Sequence, residues 1–221
     1  MAAVTTKGYR GMGMEGAIAR WYDKSTRKDM ERFRALAARV RELLPQGGDM
    51  LEVAPGPGYF AVEMAKGGAY RVTGLDISRT MVELARKNAA EAGVEVDFRH
   101  GNASAMPFSD ESFDLLTCSA AFKNFSEPHY ALQEMYRVLR PGGMALVVDL
   151  RKDVPMSEIK RHFDTVGLGT VERWMTLAAF RFMLLRRAYT RAQFERMLTD
   201  VAFREKEVRN AEIGVELLLR K

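Results

Sequence analysis

From residue 49 onward the chain alternates between short apolar runs and stretches in which apolar residues return every three or four positions. Residues 49–54, 70–76, 94–100, 112–120 and 144–150 read as strands; residues 59–66, 78–92 and 127–139 read as helices. Ser78 stands where it can cap the second of these helices, and Gly93 lies just past its end. Pro141, Gly142 and Gly143 form a turn before the last strand. Strands alternating with helices at this spacing predict a parallel sheet covered on both faces.

The flanks differ from this pattern. Residues 14–44 are helical in period, with Phe33, Leu36, Ala37, Val40 and Leu44 on one face, and Pro45, Gly47 and Gly48 stop the helix. From 151 to 189 the chain is basic, rich in methionine and aromatics, and helical. A further helix spans 190–201, and "REKEVRN" and "GVELLLRK" close the chain as an antiparallel hairpin. The expected fold class is therefore α/β: a Rossmann-like doubly wound sheet of about seven strands, mostly parallel, with an antiparallel C-terminal hairpin and a helical insertion. One domain over 1–221 is expected. It comprises an N-terminal helical segment (1–45), the core (46–150), the insertion or lid (151–189) and the final helix with its hairpin (190–221).

Composition narrows the class. With 221 residues, 47% hydrophobic and 29% charged, the chain can bury one large core and reads as globular. Its net charge of +5 is matched by residues 151–191 alone, which hold nine Lys/Arg against four Asp/Glu. That concentration suits an anionic substrate or an anionic membrane surface. A single cysteine, Cys118, excludes an internal disulfide and fits a reducing compartment. The first residues lack the apolar core of a signal peptide, and the most apolar window, 174–185, is short for a bilayer and contains Arg181. A cytoplasmic location is expected, with no membrane span.

The stretch "LEVAPGPGYF" joins a strand to a helix through Gly56 and Gly58. In an open α/β sheet ligands bind beyond the carboxyl ends of the strands, where strand order reverses. Glycines there admit positive φ and close approach of a ligand. An ordinary strand-to-helix turn would use the same residues. Asp76, eighteen residues beyond Gly58 at the end of the next strand, is placed to accept hydrogen bonds from ribose hydroxyls. The dinucleotide spacing G-x-G-x-x-G is absent, since Tyr59 and Ala61 follow, and two prolines remove amide donors that a pyrophosphate would use.

"LEVAPGPG", "GLDIS", "GNASAMPFSDESFD" and "MYRVLRPGG", in this order and spacing, resemble the class I S-adenosylmethionine-dependent methyltransferases, closest to the quinone-biosynthesis and small-molecule branch. The resemblance implies S-adenosylmethionine as cofactor and a set of contacts to it. Glu52 would organise its amino-acid end, Asp76 would bind the ribose, and Ile77 would pack on the adenine. Asn102 stands where the family usually has Asp, and its oxygen can accept the same adenine bond without charge. Ala54 replaces the first glycine of the family's turn, beside Gly56 and Gly58. Ala103 and Ser119 complete the expected contacts, and Tyr22 in "RWYDK" would lie over the methionine end. Lys123 and Asn124, after the fourth strand, are candidate substrate contacts; a solvated lysine and a turn-forming asparagine are the plainer alternative.

Methyl transfer from a sulfonium is a direct displacement that needs alignment and exclusion of water more than a catalytic triad. His129 is the candidate base among three histidines, and no Cys/His cluster suggests a metal. The expected acceptor is a small molecule, anionic or lipophilic, with peripheral membrane contact and a homodimer both compatible with the basic, apolar insertion. An RNA acceptor is disfavoured, because "CSAAF" lacks the Asn/Asp-Pro-Pro-aromatic and Pro-Cys signatures of nucleic-acid methylating enzymes. A cofactor-binding sensor or a non-methylating enzyme on this fold is the remaining alternative.

Overall fold

The structure is a computed structural model that describes residues 8–10, 13–164, 177, 182 and 184–221. Seven strands form one sheet in the order β3-β2-β1-β4-β5-β7-β6. They are β1 (Gly48–Val53), β2 (Tyr70–Asp76), β3 (Asp97–His100), β4 (Phe113–Ser119), β5 (Leu139–Leu150), β6 (Glu205–Ala211) and β7 (Gly214–Arg220). β1 to β5 run parallel, while β7 pairs antiparallel with both β5 and β6. Strand order reverses between β1 and β4, so the carboxyl ends of these two strands flank the crevice in which such sheets bind ligands.

Both faces of the sheet are buried, which is why its central strands read as continuous apolar runs. Consecutive residues of a strand point to opposite faces. Met50 and Leu115 pack with Phe60, Met64 and Ala85 on one side, whereas Leu51 and Leu116 pack with Leu132, Met135 and Phe194 on the other. The first side is covered by α2 (Met30–Leu43), α3 (Tyr59–Ala65) and α4 (Arg79–Glu91), the second by α5 (Pro128–Val138) and by the helix Arg191–Met197. Ser78 caps α4 by accepting the Met81 amide, and Thr190 and Gln193 form a capping box on the last helix.

Four elements differ from the sequence pattern. Residues 14–44 form two helices, α1 (Gly16–Thr26) and α2, because the chain breaks at residues 27–29. Arg27 lies across the break there, its exposed side chain donating to the Tyr59 hydroxyl and to Asn88. β3 starts three residues late, at Asp97. β5 runs through Pro141–Gly142–Gly143, absorbing the expected turn as a register shift opposite Phe113 and Leu115, with Gly142 at φ 80°. The last helix ends at Met197 rather than Val201. Of the segment expected to form an insertion, α6 (Met156–Asp164) is described; residues 165–176 and most of 178–183, where the sequence predicts an apolar lid, lie outside the described residues. No described helix is long and apolar enough to cross a membrane.

A buried polar network seats α1. Asp23, 9% exposed, accepts from the Tyr59 hydroxyl at 2.6 Å and from Asn88 Nδ2 at 3.1 Å, and the same Asn88 nitrogen donates to the Pro57 carbonyl at 2.9 Å. α1 is thereby tied to the glycine turn itself. At the other edge, Glu216 of β7 is buried between Arg39 of α2 and Arg209 of β6; burial opposes its charge, but the two guanidiniums outweigh it and hold its pKa below the ordinary value.

Gly58 caps α3 at φ 79°, and a Cβ there would meet Phe98 Cζ at 2.7 Å and Ala85 Cβ at 2.9 Å. Gly58→Ala is expected to destabilise the protein by about 2–4 kcal/mol, combining left-handed strain with overpacking. Denaturant unfolding checks this, and a loss under about 0.5 kcal/mol, the level of a neutral surface change, would count against the packing.

Candidate active site

A cleft opens over the carboxyl ends of β1, β2 and β4. Its lining brings together nine of the residues singled out in the sequence: Tyr22, Glu52, Ala54, Gly56, Asp76, Ile77, Asn102, Ala103 and Ser119. The turn after β1 takes its shape from two left-handed residues, Ala54 at φ 57° and Gly56 at φ 56°. The Ala54 amide still donates to Leu75 of β2 at 2.8 Å, so the strand ladder runs up to the rim of the cleft. A Cβ on Gly56 would meet only Tyr22 Cε1, at 3.8 Å. The space above the turn is therefore open, with the Tyr22 ring as its roof.

Two buried carboxylates face this space. Asp76, 7% exposed, accepts the Gly56 amide on Oδ2 and the Ser78 amide on Oδ1, both at 2.9 Å. Burial raises its pKa to about 6, against the pull of those amides. Glu52 is 4% exposed; burial pushes it up to about 8, with the Ala61 amide at the start of α3 pulling the other way. Its Oε2 is buried without a hydrogen-bond partner. A buried acceptor left unpaired is costly unless a donor arrives. An orphaned carboxylate oxygen, an acid beside the turn and apolar walls at Ile77 and Ala103 fit a ligand that carries an ammonium, a ribose and a flat base. S-adenosylmethionine has all three.

The other sequence candidates sit elsewhere. Gly58 is absent from the lining and serves the packing of α3 on α4 and β3. The Asn102 oxygen accepts the Ser104 amide at 3.0 Å, leaving one lone pair for a second donor. Lys123 is 6% exposed, its ammonium paired with Asp149 at 2.9 Å and donating to the Ala120 carbonyl. Asn124 lies outside the lining and accepts the Arg10 amide on its carbonyl at 2.7 Å. His129 is also outside the lining, with Nδ1 at 3.3 Å from the Met197 carbonyl and Nε2 at 3.2 Å from Gln133.

Several lining residues went unread in the sequence. Gly8 and Tyr9 bridge across the cleft: Tyr9 pairs with Phe125, and a Cβ on Gly8 would meet Asn102 and Ile77 at 2.6 Å. Burial raises the Tyr9 pKa above its ordinary value. Arg32 and Phe33 of α2 reach the same cleft, as do Ala120 and Ala121 after β4. The start of α4 holds the N-terminal segment through Glu15, whose carboxylate accepts the Arg79 amide at 2.9 Å and the Thr80 amide at 3.1 Å. Phe33 carried a helical-period signal that assigned it to the core; the segment around Tyr9 carried none.

Residues 51–147 match the family model described as a methyltransferase domain. The chain is 29% identical over 187 residues to the ubiquinone/menaquinone biosynthesis C-methyltransferase UbiE of Roseobacter denitrificans, covering 80% of this chain and 74% of that protein. It is 33% identical over 147 residues to the demethylmenaquinone methyltransferase of Deinococcus radiodurans, covering 65% of this chain and 61% of that one. Among solved structures it is similar to a Methanococcus maripaludis protein described as an S-adenosyl-L-methionine-dependent methyltransferase, with TM-score 0.75, 18% identity and coverage of 96% and 95%.

The raised pKa values give a pH signature. A carboxyl whose pKa is higher folded than unfolded stabilises the fold below its unfolded value, and that contribution is lost as pH rises through the folded value. For Glu52 the loss runs from about 4.5 to about 8, and for Asp76 from about 3.8 to about 6. The ligand-free protein is expected to melt at progressively lower temperature between pH 5 and 8, and Glu52→Gln to flatten that slope. Calorimetric scans across this range check it; an unchanged slope in the variant would contradict the burial assigned to Glu52.

Proposed function

We propose that the chain, which matches a methyltransferase-domain model over residues 51–147 and shares its fold with an S-adenosylmethionine-dependent methyltransferase, is a class I S-adenosylmethionine-dependent methyltransferase that methylates a ring carbon of a small hydroxylated aromatic acceptor of the quinone-precursor type. Two relatives named for such acceptors support the reading. The observation that carries it is the aromatic half of the cleft, where Tyr9, Tyr22, Phe33 and Phe125 gather and the described lining holds no histidine. An acceptor activated by its own ring hydroxyls suits such a cleft, because carbon made nucleophilic by a neighbouring phenolate does not need a strong protein base.

When bound, S-adenosylmethionine supplies an electrophilic methyl group on its sulfonium. The chain's own residues do the rest. Asp76 would take the ribose hydroxyls, Glu52 the ammonium, and Ile77, Asn102 and Ala103 the adenine side. The four aromatic rings pack a flat acceptor and exclude water. Arg32, the cation of the described lining, offsets charge on an acceptor hydroxyl as it ionises. Lys123 and His129 stand outside this list of direct contacts.

The outer face of α1 supports a lipophilic acceptor reached at an anionic membrane. Trp21 is 68% exposed beside the exposed Arg20, Lys24 and Lys28, and none of these three cations has an acidic partner among the described residues. Tryptophan flanked by cations suits a lipid interface. Vesicles with anionic headgroups are expected to co-sediment the protein and neutral vesicles to leave it in solution; binding that survives Trp21→Ala with Lys24→Glu would remove this face from the reading.

The main test uses methyl-labelled S-adenosylmethionine with a reduced demethylated naphthoquinone, alongside RNA and protein fractions. Label is expected on the naphthoquinol ring carbon. Label in RNA or protein instead would overturn the acceptor class.

A further inference from the structure

The segment after β4 contains a residue under backbone strain. Ala120 follows Ser119 directly and lies at φ 57°, a left-handed conformation that costs a residue with a Cβ roughly 1–2 kcal/mol. Its amide still bonds the Val148 carbonyl of β5 at 2.7 Å, so the reversal of direction falls on the Ala120 carbonyl. Ser119, Ala120 and Ala121 all line the cleft. Ala54, at the end of β1, has the same φ of 57° and also lines the cleft. Of these two alanines, Ala120 is the one whose carbonyl a described side chain holds.

That side chain is Lys123. Its ammonium donates to the Ala120 carbonyl and pairs with Asp149 Oδ1 at 2.9 Å. Asp149 Oδ2 accepts the Lys123 amide at 2.7 Å, and Oδ1 also accepts the Leu150 amide at 2.7 Å. The side chains of Lys123 and Asp149 are 7% and 1% exposed. Removing two charges from water for stability alone is a poor exchange. Here the pair closes a short ring, running from the Ala120 carbonyl through Lys123 and Asp149 back to β5.

We propose that Lys123 is a positioning residue that acts through the Ala120 carbonyl, strapping the left-handed wall of the cleft into the shape that receives the cofactor. It touches neither cofactor nor acceptor. Asp149 holds the ammonium in place and keeps the buried charge paired. The inference rests on the cofactor cleft and is independent of the acceptor. It accounts for a buried lysine where the sequence suggested a substrate contact, and it assigns the lysine a backbone atom to hold.

The test reads S-adenosylhomocysteine affinity by calorimetry, which requires no acceptor. Lys123→Met with Asp149→Asn removes both charges together and leaves no buried ion unpaired. This double variant is expected to bind about tenfold more weakly. Adding Ala120→Gly, which lets the backbone hold a positive φ without a strap, is expected to restore affinity to within about threefold of wild type without restoring the melting temperature. Unchanged affinity in the double variant would overturn the proposal, and so would failure of the glycine to restore it. A third measurement keeps the pair intact. In Ala120→Gly alone, hydrogen exchange over residues 119–123 is expected to stay at the wild-type rate, because the strap still holds the carbonyl. A marked rise would show that the alanine, not the lysine, fixes the loop.

Discussion

The cleft depends on one carboxylate. Asp76 spends one oxygen on the Gly56 amide and the other on the Ser78 amide, so a single side chain ties the turn after β1 to the cap of α4. Ser78 then caps α4 with its own hydroxyl, which also donates to the Met14 carbonyl at 2.6 Å and draws in the N-terminal segment. The turn, the helix start and the segment that closes over them all converge on a group that burial would prefer neutral. Its pKa near 6 reflects that conflict: the two amides favour the charge and the surrounding protein disfavours it.

This conflict separates binding from stability. A fold built only for stability would not leave Glu52 Oε2 buried without a donor, nor set a second carboxyl nearby. The site stays incomplete until a ligand supplies what is missing. The protein around it is correspondingly over-determined: a packed parallel sheet, a buried charge cluster at Glu216 and the Asp23–Tyr59–Asn88 network hold the frame in which an unsatisfied site can persist.

The sequence made the sheet legible because its central strands are buried on both faces and therefore uninterrupted in hydrophobicity. Gly56 and Asp76 were legible because a tight turn and an acidic strand end leave fixed spacings. Lys123 was misleading for a physical reason: a lysine in a loop reads as solvated, and only the fold brings Asp149, twenty-six residues away, beneath it. Gly58 read as a ligand contact, although the same lack of a side chain serves helix packing equally well. The break between α1 and α2 was hidden because helical period continues across it, and its cause, the turn of Arg27 toward Tyr59 and Asn88, is tertiary. Tyr9 left no trace because a lone bridge to Phe125 has no periodicity.

The network beneath α1 joins the roof of the cleft to its floor. Asn88 holds the Pro57 carbonyl of the turn with the same nitrogen that bonds Asp23 of α1. The helix that carries Tyr22 over the turn and the turn itself are therefore held by one side chain. Roof and floor thus share one fastening, and Asn88 makes it from behind the cleft rather than from its lining.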